Sequence, residues 1–196
     1  MLTRIPDSWA WMWPDVLIRL IPFGLAYGIA YRVTGGARWL GWSSGDVHAQ
    51  VLFAAIGAPL LFAAAVAVQG ALTRRRGALR VPSGPADSGF QAAFYLANGP
   101  VEEAFFRGLM QGGIGALWGA PLGFLIATAV YVLYHRLGAW DWPDTLATAL
   151  LGIPVGLAYW LLPGAPSLVG VSIVHVAATC GFLGPGPYLL RKLGLL

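Results

Sequence analysis

Six runs of about 20 mostly apolar residues restrict this chain more than any other feature, because a helix rising 1.5 Å per residue needs about 20 residues to cross a hydrocarbon core of about 30 Å. The runs cover approximately Asp15–Val33, Gln50–Leu72, Phe90–Gly112, Ala120–Arg136, Thr145–Leu162 and Ser167–Leu190. They are continuous stretches of Ala, Leu, Gly and Val, without the apolar/polar alternation of a membrane barrel. The expected fold is all-α: a polytopic integral membrane helical bundle of about six transmembrane helices, with small residues such as Gly152 and Gly156 allowing close packing. Composition agrees, at 58% hydrophobic and 10% charged, against about 45–50% and about 25% in soluble domains. Disorder is excluded on the same ground. The net charge is +4, but the basic residues flank apolar runs and form no patch interleaved with aromatics, which excludes nucleic acid as a partner. The lone cysteine, Cys180, permits no intramolecular disulfide and reads as a buried thiol.

The segment Thr73–Gly89, rich in Arg, Pro, Gly and Ser, divides the chain into residues 1–89, two helices and a basic loop, and residues 90–196, a core of four helices. Six crossings put Arg4, Arg74, Arg75, Arg76, Arg80, Arg136, Arg191 and Lys192 on one side, and only Arg32 and Arg38 on the other. By the positive-inside rule both termini and the basic loop are cytoplasmic. The first run contains Asp15 and Arg19 and outlasts a signal-peptide core, so it reads as a retained helix, with the two charges an i, i+4 structural pair at its entrance. All nine tryptophans fall near the ends of the runs, where an indole prefers to sit. Eleven arginines against one lysine, with abundant Ala and Gly, fit a bacterial chain and hence an inner-membrane protein.

Ionisable residues within a span cost about 2.5–3.5 kcal/mol each on insertion scales and require a partner or a task. Both glutamates of the protein, Glu102 and Glu103, lie mid-run in the third segment with Arg107; His135 ends the fourth and His175 lies in the sixth. Glu103 and Arg107 are four apart with the acid first, the favourable spacing for a same-face ion pair, whereas Glu102 points about 100° away and is left to face a cavity. Tyr131 precedes His135 by one turn and Thr179 follows His175 by one turn, which gives each histidine a hydroxyl neighbour. A purely structural reading exists for each: an ion pair for Glu103 and Arg107, an interfacial residue for His135, an interhelical hydrogen bond for His175. Asp46 and His48 lie in the sparse outer loop and receive no chemistry. The sequence has no H-E-x-x-H, no G-x-S-G and no G-x-G-D, the signatures of three intramembrane protease classes.

In order along the chain, E-E-x-x-x-R at 102–107, aromatic-x-x-x-H at 131–135 and H-x-x-x-polar at 175–179 resemble the CPBP or Abi family of intramembrane proteases. That family includes CAAX prenyl proteases and bacteriocin-processing or self-immunity proteins. The resemblance extends over about Phe90–Pro185, with Phe-Phe-Arg-Gly closing the first motif. It implies that Glu102 is the catalytic glutamate, that Glu103 and Arg107 support it, and that His135 and His175 complete the site. Thr179 stands where the family commonly has Asn or Asp, and Tyr131 where it has Phe. The implied activity is hydrolysis of a peptide bond in a peptide or membrane-protein substrate, with Glu102 as general base on a water. His135 and His175 polarise that water or steady the oxyanion, directly or by holding a divalent metal such as zinc together with Glu102. Two other classes stay open: an inactive immunity or scaffold protein, favoured by Thr179, and a small proton-coupled transporter using the same charged residues.

Overall fold

The structure, a computed structural model, describes residues 8–76, 81–138 and 140–196; Arg4 and Arg80, used in the charge count above, lie outside them. Every regular element among the described residues is helical. We number them α1 (Trp9–Val33), α2 (Val47–Arg76), α3 (85–118), α4 (Ala120–Tyr134), α5 (Trp142–Leu161), α6 (Val169–Phe182) and α7 (Pro185–Lys192). Five stretches are long and apolar enough to cross a membrane: Trp9–Val33, Val47–Arg75, Ala120–Gly138, Trp142–Leu161 and Val169–Lys192. The sixth long helix, α3, is less apolar because it carries Glu102, Glu103 and Arg107.

The breaks follow local chemistry. Gly119, at φ 98°, separates α3 from α4. The sixth apolar run, expected as one span, is two helices, because Gly184 adopts φ 62° and Pro185 brings no N–H to continue the ladder. In α5 the Thr148 hydroxyl donates to Thr145 O at 2.6 Å and interrupts the helix between Ala147 and Ala149. Asp46 caps the start of α2, accepting Ala49 N–H at 2.9 Å. Two helices contain wide π turns, Val16–Leu20 in α1 and Ala104–Gly112 in α3, each shortly after a proline, Pro14 or Pro100. Such turns recur at functional sites, and here they carry Arg19 and Arg107.

The bundle centres on α6, which lies along α2 and also packs against α3 and α5, while α4 packs between the π turn of α3 and α5. Phe106, Tyr131, Val155, Val171 and Val174 fill the core. Ile18, Leu25, Ile29, Val51, Leu60 and Leu125 are exposed on the outside, as side chains facing lipid would be. Helix α1 is pinned to α3 at two levels. Near its start Ser8 donates to Asp87 at 2.5 Å and accepts from Gln91 at 2.6 Å. Further along, Phe23 stacks on Phe105 with ring centroids 4.0 Å apart. Trp9, Trp13, Trp42, Trp118 and Trp142 are exposed near helix ends, but Trp11 and Trp140 turn inward onto a cavity. Cys180 is unpaired and only partly buried, in contrast to the buried thiol expected.

Candidate functional site

Arg107 has no exposed surface and is surrounded by acceptors. Its Nε donates to Glu103 Oε2 at 3.3 Å, Nη1 to Thr128 Oγ1 at 3.1 Å and Gln111 Oε1 at 3.3 Å, and Nη2 to Gly152 O at 3.1 Å. The Tyr131 ring covers the guanidinium with 5.2 Å from Cζ to its centroid. Gly152 and Gly156 of α5 make this approach possible. A Cβ at Gly156 would lie 3.1 Å from Arg107 Nη1 and 2.9 Å from the Phe124 ring, and one at Gly152 would lie 2.8 Å from the Tyr131 ring. The freed backbone is used as well, since Gly156 O accepts from Gln111 Nε2 at 2.8 Å. Glu103 and Arg107 thus form the i, i+4 pair expected from their spacing, inside the protein and off the cavity.

His175 joins the two acids. Its Nδ1 lies 2.5 Å from Glu103 Oε1 and its Nε2 lies 3.4 Å from Glu102 Oε2. Glu102, also buried, accepts from the Tyr134 hydroxyl at 2.5 Å and pairs through the same oxygen with Arg19 of α1. Arg19 in turn donates through Nε to Asp15 Oδ1 at 2.8 Å and through Nη1 to the Tyr134 hydroxyl at 2.9 Å. The charges therefore form one chain: Asp15, Arg19, Glu102, His175, Glu103, Arg107. The pair Asp15–Arg19 forms, but the expectation that it merely braces a helix entrance is corrected. Helix α1 begins at Trp9, so the pair lies deeper than the sequence suggested, and Arg19 reaches the glutamate.

A cavity of about 340 Å³ opens beside Glu102. Its wall includes Arg19, Tyr134, His135, His175 and Thr179, and much of the remainder is aromatic, with Trp11, Phe94, Trp140 and Phe182. Of the motif residues, Glu102, Tyr131, His135, His175 and Thr179 face this space, and Glu103 and Arg107 do not. His135 stands in a tight 3₁₀ turn, His135–Gly138, at the end of α4. Its Nδ1 lies 2.8 Å from the Tyr131 carbonyl, so its partner on that face is backbone, where a hydroxyl was expected. The metal set of Glu102, His135 and His175 does not fit: no three His, Cys, Asp or Glu side chains among the described residues gather as ligands. Both nitrogens of His175 face carboxylates, and one nitrogen of His135 faces its own helix.

Tyr134, Thr128 and Gln111, which were not singled out in the sequence, and Arg19, which was read only as the partner of Asp15, contact the charged residues of the candidate site. Gln111 was open to detection, one turn beyond Arg107 on the same helix. Arg19 carried a partial signal, a second arginine within an apolar run, which Asp15 alone explained. Tyr134 had none, since a tyrosine near the end of a membrane helix is ordinary.

Residues 86–180 match the family model described as Type II CAAX prenyl endopeptidase Rce1-like, the family to which the three motifs pointed. The matched stretch holds Glu102, Glu103, Arg107, His135, His175 and Thr179; Asp15 and Arg19 precede it. No curated protein and no solved structure matches the chain.

Proposed function

We propose that this chain, matched over residues 86–180 by the CAAX endopeptidase model, is an intramembrane protease that hydrolyses a peptide bond with a water activated by Glu102. The observation that carries this reading is the division of labour between adjacent acids. Glu103 is turned inward against Arg107, while Glu102 faces a cavity large enough for a side chain and a peptide group. As general base, Glu102 takes a proton from water as the oxygen attacks the carbonyl carbon. It then returns that proton to the departing amine as the C–N bond breaks. Arg19 and Tyr134, which surround Glu102, supply donors to the oxyanion that develops on the carbonyl oxygen, and His175 adds a donor at Nε2 in its protonated form, with both ring nitrogens carrying hydrogen. Glu103 fixes the His175 ring through Nδ1 and so aims Nε2 at the reacting groups. The aromatic walls suit an apolar or lipid-modified substrate. The arginine and lysine bias supports a topology with both termini, and the basic loop between α2 and α3, on the cytoplasmic side of a bacterial inner membrane.

The test is cleavage of a farnesylated peptide ending in a CAAX tetrapeptide by the full chain in proteoliposomes made in H₂¹⁸O. Direct attack by water puts one ¹⁸O into the new carboxylate of the product. A non-catalytic membrane protein that binds a partner is the second reading, favoured by Thr179 and by the pairing of Glu102 with Arg19. That reading requires bound, uncut peptide in the same assay.

A further inference from the structure

A group of cations at one end of the bundle takes no part in the site described above. Helix α2 runs for 30 residues, Val47–Arg76, or about 45 Å at 1.5 Å per residue against a hydrocarbon core of about 30 Å, so its end reaches the headgroup layer. Arg74 and Arg75 lie there, both exposed. Helix α7 meets α2 where Gly70 leaves its flank bare: a Cβ at Gly70 would lie 3.2 Å from Leu190 Cδ1 and 3.6 Å from Arg74 Nη1. Leu190 is buried, while Arg191 and Lys192 after it are exposed and flank the Tyr188 ring, with Arg191 Cζ 5.7 Å and Lys192 Nζ 5.8 Å from its centroid. Among the described residues none of these four cations is paired with a carboxylate. Helices α2, α6 and α7 contain no Asp or Glu. Asp87, five residues beyond the Pro82 carbonyl to which Arg191 donates, is buried and accepts from Ser8 and Ser83 instead.

Like charges held together without a counter-charge repel one another, and an anion seated among them relieves the repulsion. Leu189 and Leu193 are exposed beside the same cations, so the anion that fits carries apolar chains as well as charge. We infer that the ends of α2 and α7 bind the phosphate headgroup of an anionic membrane lipid, with Arg74, Arg75, Arg191 and Lys192 toward its oxygens and the exposed leucines toward its acyl chains. Guanidinium groups suit phosphate because their N–H donors are arranged as a planar fork. The bond from Arg191 to Pro82 O ties α7 to the segment leading into α3 and fixes where the charges stand. The inference is independent of the hydrolytic reading.

The experiment follows binding of a fluorescent short-chain phosphatidylglycerol to the full chain in neutral detergent, and its displacement by unlabelled phosphatidylglycerol, phosphatidylcholine or glycerol phosphate. Phosphatidylglycerol is expected to displace the probe at least about tenfold better than either competitor. Each cation at an anionic lipid is worth about fivefold in affinity, so the variant with Arg74→Gln, Arg75→Gln, Arg191→Gln and Lys192→Gln is expected to bind at least about 100-fold more weakly. The control, Arg32→Gln with Arg38→Gln near the other end of α2, is expected to bind within about twofold of wild type. If the fourfold variant does not fold, Arg75→Gln with Lys192→Gln decides, at an expected loss of at least about tenfold; neither side chain hydrogen-bonds to another described residue. Equal displacement by phosphatidylcholine overturns the proposal because charge is then not read. Equal displacement by glycerol phosphate overturns it because the chains are then not read. Full binding by the folded variants, or a control weakened as much as they are, overturns it as well.

Discussion

Replacing Glu103 with Gln tests the inward half of the site without touching the cavity. The substitution keeps the size of the side chain and an acceptor for His175, and removes the one carboxylate bonded to Arg107. Arg107 keeps its hydrogen bonds to Gln111, Thr128 and Gly152 O, so its donors stay satisfied while its charge, wholly shielded from solvent, does not. Removing one partner of a buried ion pair costs about 3–5 kcal/mol. In a chain of this size about 1 kcal/mol moves the melting temperature by about 2–4 °C, so Glu103→Gln is expected to melt about 6–20 °C below wild type. Intrinsic fluorescence of the nine tryptophans follows unfolding in detergent. Adding Arg107→Gln removes the uncompensated charge and is expected to restore at least half of the loss. A Glu103→Gln variant that melts within about 2 °C of wild type would refute the reasoning, and so would a double variant less stable than the single one.

Three further expectations follow from the same geometry. Tyr134→Phe removes a hydrogen bond to a carboxylate, an interaction of about 1.5–3 kcal/mol, and is expected to slow cleavage at least about tenfold; an unchanged rate would remove Tyr134 from the site. Gly156→Val puts a branched side chain within 3.1 Å of Arg107 Nη1 and against Phe124, and is expected to destabilise the protein by about 1–3 kcal/mol, read as a lower melting temperature. Reporter fusions at Leu196 and within residues 73–89 are expected to behave as cytoplasmic and one near Gly36 as external; an external C-terminal reporter would overturn the six-crossing topology.

The parts of the site legible in the sequence are those set by one helix. The pair Glu103–Arg107 and the outward turn of Glu102 follow from 3.6 residues per turn, and both are found. The apolar runs located the long helices because length and hydropathy are properties of each segment alone. What joins helices was not legible. Arg19 finds Glu102 only because α1 packs on α3, and periodicity carries no information on that contact. The π turns at Val16–Leu20 and Ala104–Gly112 escape a reading that assumes regular helix, and both arginines lie within them. His135 was expected to find a hydroxyl neighbour in Tyr131, one turn earlier at the end of the same helix. In the structure the chain tightens into a 3₁₀ turn there and the ring meets a carbonyl. The break at Gly184 was visible as a Gly-Pro step, but the apolar residues on either side masked it.

The central claim, that Glu102 is the base, is tested most directly by the rate at which Glu102→Gln cleaves the farnesylated peptide, measured beside its melting temperature. Gln keeps the size and an acceptor for Tyr134, and Arg19 retains Asp15 as its counter-charge, so the fold should lose little. The account expects cleavage to fall by about 10²–10⁴-fold with the melting temperature within about 5 °C of wild type. Cleavage by Glu102→Gln at more than a tenth of the wild-type rate, with a stable but inactive Glu103→Gln beside it, would contradict the account and transfer the base to the other acid.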